Sequence, residues 1–163
     1  MELQSDRLNL RLFIKKDENE LIKLLNDKSV TKWVHLPFPY TKKHADWWIE
    51  TGSKEKYHFA LEEKETKKLL GSLKLTESGE IGCWIGRKYW NQGFATESIE
   101  RIKKFGFEEL KLEKMWAATQ KENKTVFRLI EKIGFTRVDD RPYYVEGIGD
   151  TKIRPHFELL NRP

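Results

Sequence analysis

One cysteine, Cys83, stands among the 163 residues, so no internal disulfide can form and a reducing cytoplasm is the expected setting. Cys83 lies inside an apolar, strand-like run. A reactive thiolate needs partly exposed, electropositive surroundings, so the reading here is a buried, inert thiol. No opening run joins basic residues to an apolar secretory core, and no apolar stretch is long enough to span a bilayer. His35 and His44 are too isolated to read as metal ligands, and no Cys/His/Asp spacing has the pattern of a metal site, so no metal is expected. No Ser/His/Asp or Cys/His set offers an enzyme nucleophile. The net charge of +5 is spread along the chain without a basic block or arginine stripe. That excludes the clustered cationic face of a nucleic-acid binder while still favouring a polyanionic ligand. Repeats, low-complexity tracts and dividing linkers are missing too, which leaves residues 1–163 as a single domain.

What the chain has is aromatic mass and regular alternation. Nine Phe, six Trp and five Tyr accompany a charged fraction of 35%, enough to argue against disorder. Arg7–Ile14 alternates apolar and polar residues, the period of a half-buried strand. Asp17 offers a cap for a helix carrying Leu21, Leu24 and Leu25 on one face. A proline-punctuated loop over 33–40 leads to Thr41, a cap for a helix through Trp48 and Ile49. Strands are expected near 57–61, 68–75 and 80–86, with Ser78-Gly79 as the turn between the last two. A helix from near Gly93 places Ala95, Ile99, Ile102 and Gly106 on one stripe. A short strand at 115–119 is followed by a helix capped by Asn123, with Val126, Ile130 and Ile133 facing inward and Gly134 as its stop. Segments 135–138 and 153–160 close the pattern as strands. The order fits an α+β fold, a central sheet of about six or seven strands covered by helices.

The strongest local signal is Tyr89-Trp-Asn-Gln-Gly-Phe-Ala-Thr-Glu-Ser-Ile99, arriving directly after the apolar run Glu80–Gly86. Gly93 and Ala95 let a ligand approach the backbone, and the first turn of a helix presents N–H groups with partial positive charge. Strand, small-residue turn and helix N-terminus together make a pyrophosphate cradle. The plainer alternative is a strand-to-helix turn in which Gly93 only permits tight packing.

The segment Glu80–Ile99, EIGCWIGRKYWNQGFATESI, resembles the coenzyme A-binding core of the GNAT acetyltransferase superfamily, in its RimJ/RimL-like branch, which acetylates protein N-termini. Ser5–Leu12 looks like the first strand of that branch, and Asn123–Phe135 looks like its last conserved helix and turn. The likeness runs through nearly the whole chain in order and is weakest after Phe135. The superfamily usually carries Gln or Arg three residues before the glycine. Trp90 stands there instead, as an aromatic often does in this branch.

The resemblance implies a mixed sheet with a splayed strand pair and acetyl-coenzyme A as cosubstrate. The amides of Gln92, Gly93, Phe94, Ala95 and Thr96 would hold the pyrophosphate. Trp84 and Ile85 would offer backbone contacts to the amide-rich pantetheine arm, Arg87 and Lys88 charge-assisted phosphate contacts, and Asn123 a contact near the thioester. Each has a plainer reading as a core strand residue, solvated turn or helix cap. The implied chemistry is direct attack of a neutral amine on the thioester, which needs proximity, a base and charge stabilisation. Glu80, opening the strand beside the pantetheine, and Glu146, in the loop 143–147, are the candidate bases.

The family's tyrosine and the branch's serine are replaced by Ile130 and Val126, so a general acid is left among Thr125, Tyr143, Tyr144 and water. The acceptor pocket is expected from His35, His44, Trp47, Trp48, Tyr143 and Tyr144. A protein or peptide α-amine is the expected acceptor. Two alternatives stand beside it: a polyamine, amino sugar or aminoglycoside held by Asp46, Glu50, Asp139 and Asp140, and a non-catalytic coenzyme A-binding module.

Overall fold

The computed structural model describes residues 1–162. Strands β1 (Leu3–Gln4) and β2 (Leu8–Arg11) lead into α1 (Glu18–Leu25), α2 (Lys28–Thr31) and α3 (Lys42–Glu50). The meander β3 (His58–Glu63), β4 (Leu69–Leu75) and β5 (Ile81–Ile85) follows, then α4 (Phe94–Lys104), β6 (Lys114–Ala118) and α5 (Lys124–Lys132). The chain closes with β7 (Thr136–Arg137), β8 (Arg141–Val145), β9 (Asp150–Arg154) and β10 (His156–Leu160).

The α+β fold expected from sequence is present, and its sheet is divided. Strands β1 to β5 form one antiparallel sheet in sequence order, and β6, β10 and β7 form a second. A single parallel bridge, Glu80 to Trp116, joins them. Eight strands thus replace the six or seven expected in one sheet, because the separation of β5 from β6 interrupts the ladder. Strands β8 and β9 form a hairpin of their own.

Helices cover both faces of the five-stranded sheet. One core gathers Leu8, Leu10, Phe59, Leu61, Leu73 and Ile85 against Phe94, Ile99 and Ile102 of α4 and Phe127 and Ile130 of α5. The other packs Leu21, Leu24 and Leu25 of α1 with Ala45 and Ile49 of α3, over Ala60 and Leu69. Both clusters follow from the helical spacing of these residues. A register shift at Leu61/Glu62 lets Leu70 and Leu73 enter the same core, as a bulge allows. Gly106, expected on the α4 stripe, lies instead in a π-helical turn, Phe105–Glu109, that continues the helix.

Alternation fails at the end of β2. Leu12 and Ile14 are exposed, while Arg11 is only 8% exposed. Arg11 donates to Glu62 Oε2 at 2.9 Å and to both oxygens of Asp17 at 2.8 and 2.9 Å. Asp17 therefore does not cap α1 with its side chain. Its carboxylate serves Arg11 and the Ile14 amide.

His58 of β3 packs against the rings of Phe13 and Trp48, which also meet each other. It shares a hydrogen bond of 3.1 Å with Ser72 Oγ, and its Nδ1 has no partner. Burial, with a smaller contribution from Lys74, pushes its pKa down to about 4. The unfolded chain titrates near 6.5, so it binds more protons than the native state between those values. Stability should be full above about pH 6.5, decline as pH falls toward 4, and lose nothing further from this group below that, a change of at most on the order of 3 kcal/mol. Thermal unfolding across pH 4–7 checks it, and His58→Leu should flatten the slope.

Candidate active site

Strands β5 and β6 touch at Glu80 and Trp116 and then part. The Trp116 amide donates to Gly79 O at 2.9 Å, holding the closed end. Because β5 and β6 run parallel, the helices that follow them, α4 and α5, both begin at the open end of the gap.

The polar groups of β5 alternate between its neighbour and that gap. Thr76 N bonds Glu80 O and Gly86 N bonds Leu70 O, so in the register of β4 and β5 the even-numbered residues are bonded to β4. The backbone of Trp84 accordingly faces β4, and its side chain packs with the α1/α3 core. Cys83 and Ile85 turn toward the gap, and Ile85 O already accepts from the Trp90 indole at 2.7 Å. The Trp84 backbone, expected to face the pantetheine arm, is instead paired to β4, and the gap side of β5 carries the polar groups of Cys83 and Ile85. The error was one of strand parity, which a single strand read from sequence does not fix.

The Cys83 thiol is pushed up to about 12 by burial, only partly offset by the Ser98 hydroxyl. It is a poor nucleophile at neutral pH. Cys83→Ala should keep most of the turnover, with a modest packing loss visible in thermal unfolding.

At the open end, Gly93 caps α4 in the left-handed region, φ 81°. The first helical amide with a backbone acceptor is that of Glu97, bonded to Gly93 O at 3.0 Å. The amides of Phe94, Ala95 and Thr96 therefore lack intrahelical partners. The turn is braced from outside: Arg7 Nη1 donates to Gln92 O at 2.9 Å and Arg7 Nε to Glu97 Oε2 at 2.7 Å. Glu97 is raised by burial but lowered more by Ser5 and Arg7, so it stays ionised. A Cβ at Gly93 would lie 3.3 Å from Arg7 Nη2, so a side chain there would occupy the approach to the amides. Free amides, a bare Cα and the open edge of β5 fit the pyrophosphate and pantetheine of coenzyme A.

Arg87 and Lys88 lie exposed in the short turn after β5. Lys88 Nζ is 3.8 Å from Glu20 Oε2, and Arg87 helps hold the Asp27 carboxyl below its usual range, after the Ser29 hydroxyl. Both lean toward α1. Asn123 is buried at the start of α5, but its side chain does not cap the helix. It donates to Thr119 Oγ1 at 3.3 Å, so the cap expected there is replaced by a local tie within the turn from β6 to α5.

Of the two candidate bases, Glu80 is in contact with Tyr143. Tyr143 Oη donates to Glu80 Oε1 in a short hydrogen bond. Burial, the Glu80 contact and the charge of Glu146 push the tyrosine far above its usual range, with Arg154 acting in the other direction. The hydroxyl therefore stays protonated. Glu80 is half-buried and Glu146 exposed. Glu80 Oε2 has no hydrogen-bond partner among the described residues. Tyr143 is placed by β8, where a loop was expected, and its ring meets Trp116 edge-on at 6.2 Å. Trp116 in turn stacks on His156 at 5.4 Å.

Of the expected acceptor residues, His35 joins this neighbourhood, 3.3 Å from both Gln120 and Arg154. Burial and then Arg154 lower its pKa. The others do not converge. His44 caps α3 together with Thr41, Trp48 lies in the core beside His58, and Trp47 and Tyr144 are exposed. Nor do the acids gather: Asp46 is bound by Lys15 and Lys42 at 2.6 and 2.7 Å, and Asp140 by Arg137 at 3.2 Å. Trp116, His156 and Arg154 were missed at the sequence level. Only the pairing of β6 with β10 assembles Trp116 with His156.

The family model for the acetyltransferase (GNAT) domain matches residues 7–136. The chain belongs to the GNAT acetyltransferase family. It is 30% identical over 146 residues to a Bacillus licheniformis protein described as the uncharacterized N-acetyltransferase p20, covering 83% of this chain and 82% of that one. Among solved structures it is similar to a putative ribosomal-protein-serine acetyltransferase from Vibrio cholerae, with TM-score 0.84 and 23% identity over 98% and 97% of the two chains. A spermidine N-acetyltransferase from Vibrio cholerae, in complex with coenzyme A and spermine, gives 0.74 and 20% over 95% and 96%. At these identities the structures speak for the GNAT fold. Acetyl-coenzyme A is the cosubstrate of this N-acetyltransferase. No helix among the described residues is long and apolar enough to cross a membrane.

Proposed function

We propose that this N-acetyltransferase, as one cytoplasmic domain, acetylates the α-amino group of a protein or peptide, in the manner of the RimJ/RimL-like branch, with Glu80 as the base. The observation that carries the reading is the Glu80 carboxylate. It sits where β5 and β6 part, with Oε1 held by Tyr143 and Oε2 unpartnered.

An α-ammonium titrates near 8 against about 10.4 for lysine, so one modestly placed carboxylate suffices to take its proton. Glu80 Oε2 accepts that proton. The neutral nitrogen attacks the thioester carbonyl, and the C–N bond forms as the C–S bond breaks. The departing thiolate needs little help, since thiols titrate near 8.5; the proton that the nitrogen loses as the amide forms passes through water to the sulfur. Tyr143, locked as a donor, fixes the orientation of the carboxylate. The amides of Phe94 to Thr96 hold the phosphates, with Arg87 and Lys88 at the edge of the cradle, and Cys83 and Asn123 face the pantetheine and thioester.

A polyamine would need several carboxylates along its length. Of the acids that sequence offered for that purpose, Asp46 and Asp140 are paired with lysine or arginine and the set does not converge on the gap, which favours the single-amine reading. Coenzyme A release should be measured with a free peptide, the same peptide N-acetylated, spermidine and glucosamine. The expected result is turnover with the free peptide alone, with fragmentation mass spectrometry placing the acetyl group on the α-nitrogen. Modification confined to spermidine or glucosamine would overturn the acceptor assignment.

A further inference from the structure

We propose that Arg7, in the turn between β1 and β2, is a further coenzyme A-binding residue whose Nη2 edge contacts the pyrophosphate. The inference rests on the reading of Gln92–Thr96 as the phosphate cradle. Arg7 is held on three sides. Its Nε donates to Glu97 Oε2, its Nη1 to Gln92 O, and its guanidinium carbon lies 4.2 Å from the centre of the Phe94 ring. Its own amide also donates to Glu97 Oε1, at 2.7 Å. An arginine pinned this way gives up little freedom on meeting a ligand, because its planar fork is already oriented.

Nη2 is the nitrogen that nothing holds. It has no hydrogen-bond partner among the described residues, and it is the nearest atom to the space in front of Gly93, 3.3 Å from where a Cβ would stand. It therefore shares that space with the unpaired amides of Phe94 to Thr96. Glu97 Oε2 accepts from Nε, and its Oε1 accepts from Ser5 and the Arg7 amide, so the carboxylate is satisfied without drawing on Nη2. The Arg7 side chain is 44% exposed, open to a ligand arriving from solvent. Trp90, three residues before Gly93, supplies no donor from the other side, since its indole N–H is bound to Ile85 O. A diphosphate carries two charges that three amides do not neutralise. Arg7 provides a cationic group whose two Nη2 N–H bonds are free to donate.

Calorimetric affinities for coenzyme A and dephospho-coenzyme A, together with rates using acetylpantetheine as donor, test this with R7M, R7K and G93V. R7M should weaken coenzyme A and dephospho-coenzyme A by the same factor, about ten-fold or more. The gap between wild type and R7M should close toward unity with acetylpantetheine, which lacks the pyrophosphate. R7K, which keeps a cation without the fork, should show the same contrast at smaller size and serves should R7M not fold. Unchanged coenzyme A affinity in R7M alongside a loss in G93V would overturn the Arg7 contact and leave the cradle standing. No loss in either variant would remove the cradle itself. An equal loss with acetylpantetheine would make Arg7 a brace for the fold only, and a loss confined to coenzyme A would move the contact to the 3′-phosphate.

Discussion

Glu80→Gln is expected to lower kcat by about 100-fold or more, the usual cost of removing a positioned general base, with a much smaller change in KM for acetyl-coenzyme A. Glutamine keeps the shape and can still accept from the Tyr143 hydroxyl through its amide oxygen, but it cannot take a proton from an ammonium. Tyr143→Phe is the companion. It keeps the ring against Trp116 while removing the donor to Glu80, so kcat should fall by about ten-fold, within the worth of one hydrogen bond to a charged group. Raising the pH should recover part of the Glu80→Gln rate, because more of the amine is then neutral without help. Steady-state kinetics from pH 6 to 9 check both. A Glu80→Gln enzyme with full activity at neutral pH would make Glu80 a structural residue.

The largest stability effect should come from Arg11→Met. Arg11 neutralises Asp17 and Glu62, which are 3% and 6% exposed, and both carboxylates would be left uncompensated. Stranding buried charge in this way costs about 3–5 kcal/mol, which for a chain of this size lowers Tm by roughly 10 °C. The sign of the pH dependence is a check on the cause. In the native protein, burial raises Glu62 and the Asn9 and Arg11 contacts outweigh it, so its pKa is depressed. Its contribution is present above the ordinary carboxylate range and lost as pH falls. In Arg11→Met the stranded carboxylates are relieved by protonation, so the deficit against wild type should shrink toward low pH. Adding Glu62→Met should cost less than a separate, additive change, since one unpaired charge is removed with it. Denaturant melts at pH 7 and pH 4 measure all three.

Hydrophobic period alone was enough to find most of the fold. Leu21, Leu24 and Leu25 share a buried helical face, and β3 to β5 stand close to where alternation put them. The turn proposed to hold the phosphates was legible as a turn because Gly93 stands between a strand and a helix. Three things were not legible, for separate reasons. The β8–β9 hairpin is a two-stranded ribbon with both faces largely wet, so Tyr144 and Ile153 are exposed and no apolar alternation marks it. Arg11 read as the polar side of a half-buried strand, but its burial depends on Asp17 and Glu62, and the second is 51 residues away. The Glu80–Tyr143 contact joins residues 63 apart and exists only once the hairpin folds back over the closed end of the gap. Pairings of this range leave no local trace, so sequence could name Glu80 and Tyr143 but not their meeting.

Hydrogen–deuterium exchange with and without acetyl-coenzyme A tests the location of the cosubstrate most directly, because the amides proposed to hold it lack acceptors when it is absent. Exchange should slow at Phe94, Ala95 and Thr96 and at Cys83 in β5, while α3 (Lys42–Glu50) is unchanged. Protection confined to other segments, with Phe94 to Thr96 exchanging as before, would contradict the placement of acetyl-coenzyme A at the start of α4.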